Sequence, residues 1–124
     1  MTPILASQRE LLLNRIEDDG LVLKIFLCPL THYGGRVVPD SDAAEIIVSF
    51  KAPVLYQVMD EVIASLHGLT APVAHHILFE VEVNDYMESF KLSELYAYDP
   101  VRNFLLVTAH SVVWISCRDE PAIV

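Results

Sequence analysis

The stretch ELLLNRIEDDGLVLKIFLCP, residues 10–29, decides which class of fold the chain can reach. Asp19-Gly20 at its centre is a strong turn signal, because glycine accepts the positive φ of a tight hairpin. On the far side Leu21, Leu23, Ile25 and Leu27 alternate with Val22, Lys24 and Phe26, so residues 21–28 read as a strand buried on much of both faces. The near side has two readings. Ser7-Gln8-Arg9-Glu10 has the spacing of a capping box and would start a helix over 10–17. The Asp-Gly turn asks instead for a strand pairing back on 21–28, and this hairpin is the preferred reading.

Working outward, residues 31–43, THYGGRVVPDSDA, form the longest loop, with turn chemistry at Gly34-Gly35 and Pro39-Asp40. Residues 44–51, AEIIVSFK, are the next strand. From Pro53 to Leu66, apolar residues at 55, 58, 59, 62, 63 and 66 have helical spacing, with Pro53 suited to a first turn and Gly68 to the stop. Ala52 is a poor cap, which leaves Met59-Asp60 as a later start. Residues 77–83 read as a strand with Ile77, Phe79, Val81 and Val83 on one face and His76, Leu78, Glu80, Glu82 and Asn84 on the other. Asp85-Tyr86-Met87-Glu88 repeats the capping spacing and predicts a short helix over 86–92 with Asp85 as its cap. Residues 94–98, 104–108 and 112–117 then close an antiparallel meander through turns at 99–103 and 109–111. The expectation is one α+β domain over residues 1–124: a curled antiparallel sheet of five to seven strands with one or two short helices.

Composition excludes more than it assigns. The longest unbroken apolar runs, such as Ile25–Cys28 and Phe104–Val107, fall far short of the roughly 20 residues that span a bilayer. The first twenty residues lack a basic start followed by an apolar run, so no signal peptide is expected and the chain reads as cytoplasmic. Cys28 and Cys117 make neither a disulfide framework nor a CxxC pair, and read as buried strand thiols. Eight basic residues against seventeen acidic ones give a net charge of −9, which repels nucleic acid and anionic membranes and attracts a basic partner. No GxSxG elbow, phosphate loop, HExxH or DxDxDG loop occurs, and no cofactor is implied.

The charge is concentrated. Glu80, Glu82, Asp85, Glu88, Glu94 and Asp99 face only Lys91 across residues 80–99, a local balance of −5. Clustered charge of one sign speeds encounter with an oppositely charged partner. The bland alternative is a solvated strand face. Glu80 and Glu82 share a face about 6–7 Å apart, and with His76 they could hold a divalent metal. His75 and His76, being adjacent on a strand, point oppositely and cannot both ligate one ion. Asp60-Glu61 after Tyr56 reads as the wet side of a helix rather than a catalytic pair. Tyr33, Tyr56, Tyr86, Tyr96, Tyr98 and Trp114 are core or interface anchors, and Trp114, in the last strand and so at a candidate sheet edge, is the candidate anchor of a binding face.

Three segments, SFKAPVLYQVMDE (49–61), FEVEVNDYMESF (79–90) and NFLLVTAHSVVWISCRDEP (103–121), are similar to small bacterial proteins of the polymorphic-toxin immunity type. The resemblance covers about half the chain, its motifs are structural, and it allows the first segment to be a strand. It implies a non-enzymatic inhibitor of a toxin and defines no active-site residues. The expected function is therefore an acidic protein-binding domain that covers a basic toxin domain with Glu80, Glu82, Asp85, Glu88 and Glu94, aided by Trp114. Two alternatives stand beside it: a homo-oligomeric scaffold such as a homodimer, favoured by the 53% apolar content, and a small metal-dependent enzyme built on His76, Glu80 and Glu82.

Overall fold

The computed structural model describes residues 2–71, 73 and 75–124. In chain order its elements are β1 Thr2–Ala6, β2 Leu11–Asp18, β3 Val22–Tyr33, β4 Arg36–Pro39, β5 Ile46–Lys51, β6 Leu55–Asp60, α1 Glu61–Leu66, β7 His76–Val81, α2 Asp85–Glu88, α3 Leu92–Leu95, β8 Arg102–Val107, β9 Ser111–Cys117 and β10 Ala122–Ile123. The fold is mostly antiparallel sheet with three short helices.

The Asp19-Gly20 hairpin forms as its residues dictate. Gly20 has φ +86°. The Asp19 carboxylate accepts the backbone N–H groups of Leu21 and Val22 at 2.9 and 2.8 Å, and these bonds hold its pKa below the usual carboxylate value. No helix starts at Ser7. Its hydroxyl is turned onto Arg9 in a local turn, because residues 11–18 gain a whole ladder against β3 by extending. β3 is the hub of one sheet, paired with β2 and β5 along its length and with β4 beyond Leu30, in the order β10-β5-β3-β2. The predicted 31–43 loop is thus mostly a second hairpin about Gly34-Gly35. Leu23, Ile25 and Leu27 are buried on one face of β3. The other face is wet at Lys24, and Phe26 is buried there under the Arg15 guanidinium, 3.8 Å from its ring centroid.

The other sheet runs β1-β7-β8-β9-β6. Its central strands carry unbroken apolar runs at Phe104–Val107 and Val112–Ile115 because both faces are covered there. Phe104, Leu106, Val113, Ile115 and Cys117 meet Leu23, Ile25, Leu27, Val48 and Phe50 of the opposite sheet, and Phe50 and Phe104 bring ring centroids within 5.9 Å across the interface. Leu105, Val112 and Trp114 point the other way, into a second core closed by Ala64 of α1, Leu69 and Met87 of α2. The molecule is therefore a two-sheet sandwich with one outer face roofed by helical segments.

Several expectations change. Ten strands in two five-stranded sheets replace one sheet of five to seven, and three helices replace one or two. The helix expected over 53–66 divides. Residues 55–60 pair with β9 from Leu55↔Ser116 to Asp60↔Ser111, with Tyr56 turned to the sandwich core and Leu55 and Met59 to the helical side. Six apolar positions in fourteen fitted a helical period, yet a strand and a short helix in succession leave the same pattern. The helix begins where Asp60 accepts the Val62 N–H at 2.8 Å. The helix expected over 86–92 is two short ones. Asn84, not Asp85, caps α2 by accepting from Met87 N–H at 2.9 Å, and Lys91 at φ +56° breaks the run before α3. Residues 94–98, expected as a strand, are the end of α3 and a turn. The strand over 77–83 ends at Val81.

Candidate functional site: the acidic helical cover

The segment after β7 has to reach β8 across the outer face of the sheet, and it does so as α2, α3 and the turn to Pro100. Its inward residues set its position. Met87 is buried. Tyr86 donates to Gln57 Oε1 at 2.7 Å, stacks on His67 with centroids 4.0 Å apart, and meets Trp114 edge-on at 5.9 Å. Phe90 contacts Trp114 at 5.1 Å. Asn84 Nδ2 donates to the His67 carbonyl at 3.0 Å, tying the end of α1 to the start of α2. With Met87 buried and Tyr86 and Phe90 half-buried against the sheet, the carboxylates on the outer side stay wet.

The six residues expected at a binding face fall in different places. Glu82, Asp85, Glu88 and Glu94 are exposed on this cover. The Glu88 carboxylate accepts the Ser93 hydroxyl at 2.9 Å. Glu80 is set apart from them. Half-buried on β7, it accepts Arg102 Nε and Nη2 at 2.8 and 2.7 Å, and that bidentate contact holds its pKa below the ordinary carboxylate value. Its charge is already neutralised within the fold. Asp99 is paired likewise, with Arg118. Trp114 lies on β9, between β8 and β6 rather than at an edge, and is fully buried. Its indole N–H donates to Asn103 Oδ1 at 3.0 Å. It supports the cover from below.

Two exposed apolar residues take the outer position that Trp114 does not. Tyr98 is fully exposed and Leu95 is 72% exposed, with Val83 also open beside Glu82. The signal for them was visible as Glu94-Leu95 and Tyr98-Asp99, apolar residues abutting carboxylates, but reading 94–98 as a strand assigned them to a sheet. No family model, curated protein or solved structure matches the chain.

A recess of about 620 Å³ lies at one end of the sandwich, where the β1–β2 connection meets the β8–β9 turn. Ser7, Glu10, Glu61, His75 and His110 border it. His75 and His110 both hold positive φ, +66° and +68°. His110 Nδ1 stands 3.9 Å from Glu61, beyond hydrogen-bond reach, Thr108 donates its hydroxyl to the Ser111 carbonyl, and Arg9 is committed to Asp40 and the Leu30 carbonyl. Among the described residues there is no group of three or more His, Cys, Asp or Glu side chains able to hold a metal ion. His76 and Glu82 therefore complete no metal set with Glu80, which is occupied by Arg102. No helix among the described residues is long and apolar enough to cross a membrane.

Proposed function

We propose that the chain is a non-enzymatic protein-binding domain of the immunity type, which inhibits a basic toxin domain by docking it on the cover formed by residues 82–99. The observation that carries this reading is the composition of that surface. Tyr98 and Leu95 stand exposed among Glu82, Asp85 and Glu94, carboxylates with no cationic partner among the described residues. Unneutralised charge draws a basic partner and sets its register. Exposed aromatic and aliphatic side chains then supply the desolvated centre that slows release. Glu80 and Trp114 serve this surface indirectly, by holding β7 to β8 and by carrying the cover.

The test is capture of the tagged chain from its native host, beside the triple variant Glu82→Lys/Asp85→Lys/Glu94→Lys and the variant Tyr98→Ala. The expected result is a basic protein in equal amount with the wild type, released by high salt and missing from the triple variant. Tyr98→Ala should weaken that complex about tenfold or more, in the range of an interface anchor. Recovery of the chain alone, or a partner held equally by the triple variant, would overturn the proposal.

A second reading, a homodimeric scaffold, is favoured by a different surface. Val58 on the edge strand β6 and Val62, Ile63 and Leu66 on α1 are all exposed. Light scattering separates the two readings. A concentration-independent dimer dissociated by Val62→Glu/Leu66→Glu would support the scaffold, and a monomer at every concentration would remove it.

A further inference from the structure

Between the cover and the sheet lies a cavity of about 250 Å³. Trp114 and Asn103, both buried, line it, together with Met87, Leu92, Tyr96 and Val101. Its surroundings are mostly apolar, and the orientation of Asn103 is determined. An indole N–H can only donate, so the atom facing Trp114 must be the amide oxygen. That same Oδ1 accepts the Ser116 hydroxyl at 2.5 Å. The amide Nδ2 consequently points away from both, and among the described residues nothing accepts its hydrogens. A side chain only 6% exposed thus offers a fixed, unused pair of donors at the lining of an apolar cavity.

We propose that this cavity is a binding site for a small planar, mostly apolar molecule that presents one hydrogen-bond acceptor, a ring nitrogen or a carbonyl, to Asn103 Nδ2. The chemistry follows from the lining: an indole and aliphatic side chains favour a flat apolar body, and the free amide hydrogens favour an acceptor over a donor. Size sets the scale. A space of roughly 150 Å³ takes a benzene ring, so this one has room for two fused rings. Such a ligand would lie beneath the docking surface beside Glu88, which also lines the cavity and whose carboxylate already accepts the Ser93 hydroxyl, and the site stands whether or not that surface binds a toxin.

The test uses two probes of the same shape, quinoline, which carries a ring acceptor, and naphthalene, which does not. Each is titrated into the ¹⁵N-labelled full chain to the same concentration, within the solubility of the hydrocarbon. Two reporters are built in: the indole N–H of the only tryptophan and the side-chain amide of Asn103. Quinoline should shift both resonances saturably and bind about fivefold tighter than naphthalene, the share of one hydrogen bond. Val101→Phe, which fills the space, should abolish both shifts. If that variant loses its fold, the two probes on the wild type still decide. Absence of any saturable shift, equal binding of the two probes, or unchanged binding to a folded Val101→Phe chain would each overturn the proposal.

Discussion

Asn103→Leu removes the acceptor shared by the Trp114 indole and the Ser116 hydroxyl, and its cost can be worked from the structure. Leucine is close to asparagine in size, so no large cavity opens. The Trp114 N–H, 3.0 Å from Oδ1 and fully buried, loses its only acceptor among the described residues, and a buried donor left unpaired costs about 1–3 kcal/mol. The Ser116 hydroxyl is equally buried but can rotate, so its loss is smaller, roughly 0.5–1 kcal/mol. Removing the unused Nδ2 donors and adding apolar surface return part of this, roughly 1 kcal/mol. The net loss should be about 2 kcal/mol, which for a domain of this length lowers Tm by roughly 6–10 °C. Urea unfolding followed by Trp114 fluorescence measures it directly, since this residue is the sole tryptophan. Combining Asn103→Leu with Ser116→Ala should cost less than the sum of the two single changes, because both act on one acceptor. A loss below about 0.5 kcal/mol, or strict additivity, would refute the shared-acceptor geometry.

Glu80→Gln should cost about 1 kcal/mol at pH 7, the scale of a well-aligned but partly solvated ion pair. Arg102 lowers the folded-state pKa of Glu80, so its contribution is full above the ordinary glutamate pKa and disappears as pH falls through the folded value. The gap between wild type and variant should therefore close in acid, and a gap of the same size at pH 3 would contradict the pairing. Burial pushes the Cys117 thiol up to about 11, so a thiol reagent at pH 8 should modify at most one cysteine per native chain, Cys28, and two after unfolding. Rapid modification of both in the native state would rule out the buried position of Cys117. Gly68 has φ +72°, and a Cβ there would lie 3.4 Å from Asn84 Nδ2. Gly68→Ala should lose about 1–2 kcal/mol, read by thermal unfolding, and an unchanged Tm would exclude that conformation.

Where the residues themselves carried the signal, the reading held. The Asp-Gly turn, the apolar alternation of 23–27 (Leu21 lies before the strand and is exposed) and the 104–108 and 112–117 strands depend on backbone geometry and period, which neighbours in the chain supply. The candidate site was legible only in outline. Glu82, Asp85, Glu88 and Glu94 are exposed on one cover, but Glu80 lies in the same run and is taken by Arg102, twenty-two residues away. Trp114 looked like an anchor because an isolated strand shows no sign of which face is roofed. Tyr98 and Leu95 were hidden by a strand reading of a segment whose short helix packs only in context.

Local chemistry by itself determined the Asp19-Gly20 hairpin, a helix start near Asp60 and another within one residue of Asn84, the acidity of residues 80–99 and the sheet-rich character of the chain, because turns, caps and charge act over a few residues. Only the tertiary structure decided that the strands form two sheets instead of one, that residues 55–60 extend along β9, and that the central strands are covered on both faces. Those outcomes depend on which surfaces can bury one another across the molecule. Pairing between residues far apart in the chain leaves no periodic mark in either partner.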